Sequence, residues 1–267
     1  MTRVESADGT PIAFEQSGSG PALILVDGAL CSRAFGPSAD LAKALSPHFT
    51  VYRYDRRGRG QSGDRAPYSP AREVEDLAAL IAQAGGTAAL VGLSSGAALA
   101  LEAAASGLPV SRVVAYEPPY VDDGNTGKEL PHLEALAERL QHGDRGGAVA
   151  YFMKDMVGVP AFVVVMMRLM PWVWRKLKAA AHTLPYDASI MTGFRVPRQR
   201  LGTIRVPALV MHGSKTDARL KHAATAAAGA IPGAEHRELA GQTHNVSPTV
   251  LAPAVIEFIR REAAQER

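Results

Sequence analysis

The chain reads as an α/β fold, a mostly parallel sheet with helices on both faces and one helical insertion. Three observations predict it. Short apolar runs such as ALILV at Ala22 to Val26 alternate with segments of helical period. The runs end in Asp, Gly or Pro, residues that turn or break the chain. The alternation stops between Pro119 and about Val206, where only helical patterns remain, for example Leu133, Leu136 and Leu140.

In chain order, Thr2 to Ser6 and Ile12 to Gln16 flank Asp8-Gly9, a hairpin signal. ALILV reads as a buried strand ending at Asp27-Gly28, and Thr50 to Tyr54 as a strand ending at Asp55. Ser69-Pro70 has the form of an N-cap followed by Pro at the first helical position. The helix it opens repeats Val74, Leu77, Leu80 and Ile81 and stops at Gly85-Gly86. Ala88 to Leu93 is a central strand running straight into Ser94-Ser95-Gly96 and the Ala-rich helix AALALEAAA. Val110 to Tyr116 is the next strand, closed by Glu117-Pro118-Pro119. Ala208 to His212 and His236 to Ala240 complete the sheet, and a last helix carries Leu251, Val255, Phe258 and Ile259 on one face. This assigns residues 1–118 and 206–267 to the core and 119–205 to an inserted helical lid.

Composition narrows the function classes. At 267 residues, 47% hydrophobic and 21% charged, the chain suits one large globular domain or a domain with an insertion. Its net charge of +3 comes from dispersed residues, with no basic stripe interleaved with aromatics, so no nucleic-acid partner is expected. The single cysteine, Cys31, excludes an internal disulfide and a thiolate cluster; no histidine pair has metal-ligand spacing within one element. Neither a metal nor a cofactor is expected. The N-terminal residues lack a signal-peptide apolar stretch. The apolar segment Val157 to Trp174 is interrupted by Pro160, Arg168 and Pro171, which suggests a buried or pocket-facing stretch rather than a membrane span. A cytoplasmic protein without a membrane partner, monomeric or homodimeric, is the expectation.

The chemistry-bearing motif is Gly92-Leu93-Ser94-Ser95-Gly96, G-x-S-x-G at a strand-to-helix junction. A serine nucleophile there needs a sharp, strained turn that lifts its hydroxyl above the sheet, and glycines on both sides so that strand and helix approach closely. The helix that follows directs its N-terminus and the Ser95 N–H at the developing oxyanion. Gly58 to Gly63 matches G-x-G-x-x-G, but no helix opens at its last glycine, so a dinucleotide site is disfavoured. Its arginines read as loop-fixing groups.

With ILVDGAL at Ile24 to Leu30, YDRRGRGQS at Tyr54 to Ser62, VGLSSGAA at Val91 to Ala98, VPALVMHG at Val206 to Gly213 and GQTHNV at Gly241 to Val246, nearly the whole chain resembles the α/β-hydrolase superfamily. The resemblance implies an α/β-hydrolase fold, and a general base at His244, in the loop after the last strand. A serine hydroxyl needs such a base at neutral pH. The second oxyanion donor is implied in the loop after ALILV, at the Gly28 or Ala29 N–H; relatives carry His-Gly there, so Asp27 is a departure. Two carboxylates compete to orient His244. Asp217 lies one position later than the family's G-x-x-D pattern after Gly213. Glu117 ends an apolar strand, where an unpaired carboxylate is costly. Haloalkane dehalogenases and zearalenone-type lactone hydrolases carry their acid at that strand end. The reading favours Glu117 and keeps Asp217.

The Asp-Gly loop, the Ser-Ser-Gly elbow and the strand-end Glu together resemble the zearalenone-type lactone hydrolases. The expected reaction is hydrolysis of an apolar carboxylic ester or lactone through an acyl-enzyme. Trp172, Trp174, His182 and Tyr186 are the candidate substrate contacts in the lid, and its methionines read as packing or as an apolar roof. A C–C bond hydrolase, a perhydrolase, a lyase or a ligand receptor with little turnover are the alternatives the same fold allows.

Overall fold

The computed structural model describes residues 2–121 and 132–261. Its elements in order are β1 (Thr2–Glu5), β2 (Pro11–Ser17), β3 (Ala22–Val26), α1 (Ser38–Leu45), β4 (Thr50–Tyr54), α2 (Pro70–Gln83), β5 (Ala88–Leu93), α3 (Ser95–Ala105) and β6 (Val110–Tyr116). They continue with α4 (His132–Gln141), α5 (Arg145–Tyr151), α6 (Ala161–Arg168), α7 (Pro171–Ala180), α8 (Leu184–Ile190), α9 (Arg198–Leu201), β7 (Ala208–Gly213), α10 (Ala218–Ala230), β8 (Glu235–Leu239) and α11 (Pro248–Arg260). The expected hairpin forms, with Val4 opposite Ile12.

Among the described residues the strands form one sheet in the order β1-β2-β4-β3-β5-β6-β7-β8. The pairs from β4 to β8 are parallel; β2 runs antiparallel to both β1 and β4. Parallel strands buried on both faces are apolar throughout rather than alternating. In β3, Ile24 and Val26 pack toward α2, α3 and α10, while Leu23 and Leu25 pack toward α1 and α11. The Ala-rich sequence of α3 is explained by its place: ten of its eleven residues are buried, and small side chains let it lie close to the sheet.

The chain leaves β3 toward β4 on one side and returns to β5 on the other. Such a reversal opens a crevice at the carboxyl ends of the strands, where α/β sheets bind ligands. The helices from α4 to α9 stand between β6 and β7 and form a third apolar cluster, in which Leu136, Val149, Phe152, Leu177 and Phe194 pack with Leu30 of the loop after β3. Residues 122–131 of the segment assigned to the lid lie outside the described residues. The stretch Val157 to Trp174 corrects one expectation. It divides at Pro171 into α6 and α7, and only part of it is inward; Phe162, Val165, Met166, Leu169, Met170 and Trp172 are exposed. Two helices of eight and ten residues each bury one stripe, so the opposite stripe faces water.

Candidate active site

Ser94 lies between β5 and α3 with φ 55° and ψ −125°, the strained turn the motif demands. A Cβ on Gly92 would lie 2.6 Å from Ala97 Cα, and one on Gly96 would strike the Val26 carbonyl, so both glycines are required by the close approach of strand and helix. As the first residue of α3, Ser95 has an N–H without an intrahelical acceptor, directed at the crevice end of the helix.

The loops after β6 and β8 bring Glu117 and His244 together. His244 Nδ1 lies 2.6 Å from Glu117 Oε2. Glu117 Oε1 accepts from the Gly213 N–H at 2.8 Å and from the Thr216 hydroxyl at 2.5 Å. Glu117 is fully buried. Burial works against its charge, but the bonds from His244, Gly213 and Thr216 prevail and hold the carboxyl below the usual glutamate range. The Tyr116 hydroxyl donates to the Thr243 carbonyl at 2.6 Å and so ties β6 to the histidine loop.

Gly28 follows β3 and faces Ser94: a Cβ there would lie 3.1 Å from Ser94 Cβ and 3.7 Å from its Oγ. Beneath this loop is a buried charge network. Arg59 Nη1 donates to the Gly28 carbonyl at 2.7 Å, and Arg56 Nη1 to the Asp27 carbonyl at 3.2 Å. Asp187, from α8, accepts from Arg56 at 2.8 Å, from Arg59 at 2.6 Å and from the Ser95 hydroxyl at 2.7 Å. Glu73 takes the other edge of Arg56 in two bonds, at 2.7 and 2.8 Å. Arg59 of the glycine-rich loop and Arg56 just before it thus hold the backbone of the loop after β3.

A strained serine elbow, a histidine bonded to a strand-end carboxylate and a glycine loop at one crevice invite comparison with known proteins. Residues 19–256 match the model of the Alpha/beta hydrolase family. The chain belongs to that family. A crystal structure of an alpha/beta hydrolase from Sphaerobacter thermophilus DSM 20745 is 50% identical, covers 96% of this chain and 99% of its own, and superposes with a TM-score of 0.89. An enol-lactonase from Burkholderia xenovorans LB400 (21% identity, 97% and 99% covered, TM-score 0.70) and an esterase from Exiguobacterium antarcticum (20%, 97% and 98%, TM-score 0.75) share the fold. No curated protein matches the sequence significantly.

In this hydrolase, Ser94, Ser95, Gly28, Ala29 and His244 all line one cavity of about 750 Å³, within the range of small-molecule sites. The rest of its wall is largely apolar, with Phe152, Met156, Met167, Val173, Leu177 and Phe194 from the helical insertion. Phe152–Met156 winds as one π turn after α5, which aims both of its end residues inward. Cys31 also lines the cavity, and burial pushes its thiol up to about 12, so it is no thiolate near neutral pH. Among the described residues no three His, Cys, Asp or Glu side chains gather as metal ligands.

Several sequence-based site residues lie elsewhere. Asp217 is at the cavity rim but serves as the N-cap of α10, accepting from the Arg219 N–H at 2.9 Å and pairing with the Arg219 side chain at 3.0 Å. Glu117 occupies the His244 bond instead. Trp172, Trp174, His182 and Tyr186 are not in the cavity wall. Trp172 faces solvent, and Trp174 lies under the Arg168 guanidinium. Tyr186 stacks on Tyr68 at 3.7 Å and donates to Asp64, while His182 Nε2 lies 3.8 Å from the same carboxylate. Those two residues fasten the insertion to the loop after β4. Residue type marked them as contacts, but helix rotation turned them away.

Thr216, Tyr116 and Asp187 escaped the sequence reading. For Thr216 a signal existed. It occupies the fourth position of the G-x-x-D pattern, and its hydroxyl donates to Glu117. Asp187 carried no motif, because its partners lie more than 90 residues away in sequence.

Proposed function

We propose that this hydrolase cleaves a carboxylic ester or lactone with an apolar acyl portion through an acyl-enzyme. The observation that carries the reading is the convergence of the strained Ser94 elbow and the Glu117-bonded His244 on one apolar cavity. Glu117 accepts a hydrogen bond from the Nδ1–H of His244, which holds the tautomer that leaves Nε2 as the base. Ser94 Oγ attacks the carbonyl carbon as its proton passes to Nε2. The tetrahedral oxyanion collapses, the C–O bond breaks, and the alkoxide takes the proton from His244. Water then repeats the sequence on the acyl-serine, returning the proton to Ser94 and releasing the acid.

The oxyanion would be held by the Ser95 N–H and one loop N–H. A peptide unit is planar and trans, so its C=O and N–H point in opposite directions. The Gly28 carbonyl faces buried Arg59, which supports the Ala29 N–H as the donor facing the cavity. The helices from α4 to α9 act in this reading as the lid, with Phe152, Met156 and Leu177 shaping acyl selectivity.

The test is steady-state hydrolysis of p-nitrophenyl esters of increasing chain length and of a lactone panel, with wild type and Ser94→Ala. Turnover by wild type with a loss of at least about 10³-fold in the variant is expected. Turnover surviving Ser94→Ala would overturn the acyl-enzyme. Tight ligand binding without turnover would overturn the enzymatic reading in favour of a receptor.

A further inference from the structure

The outer face of α6 and the start of α7 is apolar and uncovered. Phe162 and Leu169 are each 70% exposed, Trp172 58%, Met166 56% and Val165 53%. Scattered apolar residues on a surface need no explanation, but a contiguous group of this size does. Burying none of these side chains gains the fold nothing, so they call for an outside partner.

Charge indicates which partner. From Met156 to Tyr186 the sequence holds Arg168, Arg175, Lys176 and Lys178 and no Asp or Glu. All four basic residues are exposed, and Arg145 joins Arg175 and Lys178 around a shallow surface groove whose one acid, Asp144, is spent on the Gly147 N–H at the start of α5. The nearest acids bordering the segment are already engaged. Asp155 sits 3.7 Å from Lys154, and Asp187 is buried among Arg56 and Arg59. An apolar face rimmed by cations is the make-up of a helix that lies in an anionic lipid interface. A second copy fits less well. A two-fold contact sets a patch against itself, which would bring Arg168, Arg175 and Lys176 toward their own copies, with only the capping Asp144 beside Arg175 to offset them.

We propose that α6 and α7 dock this hydrolase peripherally on an anionic lipid surface, with Phe162, Val165, Met166, Leu169 and Trp172 entering the interface and Arg168, Arg175 and Lys176 meeting the headgroups. Among the described residues no helix is long and apolar enough to cross a membrane, so the attachment is superficial. The same helices present Val163, Met167, Val173 and Leu177 to the cavity on their inner side. The docking face and the substrate cavity are therefore two sides of one helix pair. It departs from the expectation of a protein without a membrane partner. It stands apart from the proposed ester chemistry, because binding is read without turnover.

The chain supplies its own probe. Its two tryptophans both lie on α7, Trp172 exposed on the docking face and Trp174 half-buried behind it, so intrinsic fluorescence reports this helix. Intact protein would be titrated with phosphatidylcholine vesicles and with 2:1 phosphatidylcholine–phosphatidylglycerol vesicles, following the emission maximum and the fraction that co-sediments. A saturable blue shift with the anionic vesicles is expected, with partition at least about tenfold weaker on neutral ones, since each basic residue near an anionic surface contributes about fivefold. Sodium chloride at high concentration should reverse it. Phe162→Ser/Leu169→Ser, checked for an unchanged circular dichroism spectrum and Tm, should lose about tenfold or more in partition. No blue shift with either vesicle, or undiminished binding by that double variant, would overturn the proposal. So would a solution dimer, seen by light scattering, that the double variant dissociates and that does not bind vesicles.

Discussion

Glu117→Gln is the most discriminating change in the candidate active site, because the structure dictates which way the amide must face. Glu117 Oε1 accepts from the Gly213 N–H and the Thr216 hydroxyl. The glutamine oxygen must keep that place, since an NH2 group there would oppose the Gly213 donor. Its NH2 then faces His244 Nδ1, where Glu117 Oε2 now stands at 2.6 Å. Facing a donor, Nδ1 must become an acceptor, the ring proton moves to Nε2, and Nε2 can no longer take the Ser94 proton. A wrong tautomer at a catalytic histidine costs about 10⁴ in kcat, or about 5 kcal/mol of transition-state stabilisation. Asp217→Asn should leave kcat within about threefold, since Asp217 caps α10 at the surface. The assay is kcat and kcat/KM on a p-nitrophenyl ester for wild type and both variants, with circular dichroism to confirm folding. A Glu117→Gln enzyme within tenfold of wild type would refute the reasoning, as would a matching loss in Asp217→Asn.

Three other outcomes follow from the same structure. Asp187→Ala leaves the buried Arg59 without a carboxylate and Arg56 with Glu73 alone; breaking buried ion pairs costs about 3–5 kcal/mol, a Tm fall on the order of 10 °C in a domain of this size. Thermal melts check that, and kcat should fall with KM little changed because the loop opposite Ser94 loosens. Asp27 is buried, and desolvation, only partly offset by Ser38 and nearby arginines, raises its carboxyl from the ordinary range to about 6. A raised carboxyl pKa means the native state binds the extra proton, so stability declines as pH rises from about 4 through about 6 and stays lower above it. Asp27→Asn should therefore gain over wild type by up to about 3 kcal/mol at pH 8 and by little at pH 4, measured by urea unfolding; an equal gain at both would refute the assignment. Leu177→Trp should shorten the preferred acyl chain by filling the cavity wall, and Phe152→Ala should lengthen it, read as kcat/KM across an ester series.

The local patterns already determined much of this protein. Alternating apolar runs and helical periods define the sheet and its flanking helices, because burial on both faces leaves strands such as ALILV uniformly apolar. Gly92 and Gly96 around Ser94 report a close approach that tolerates no side chain, so the elbow is legible from five residues. His244 was singled out by the α/β-hydrolase resemblance, which implies a base in the loop after the last strand. Tertiary structure decided what depends on meeting across the sequence. It is Glu117 and not Asp217 that lies 2.6 Å from His244 and accepts from the Thr216 hydroxyl, contacts that spacing does not contain. The same holds for Asp187, whose partners come together only when the insertion folds over the loops. It holds also for the tryptophans and methionines of α6 and α7. A sequence states that a residue is apolar, but only the rotation of a packed helix decides whether it meets the cavity or the solvent.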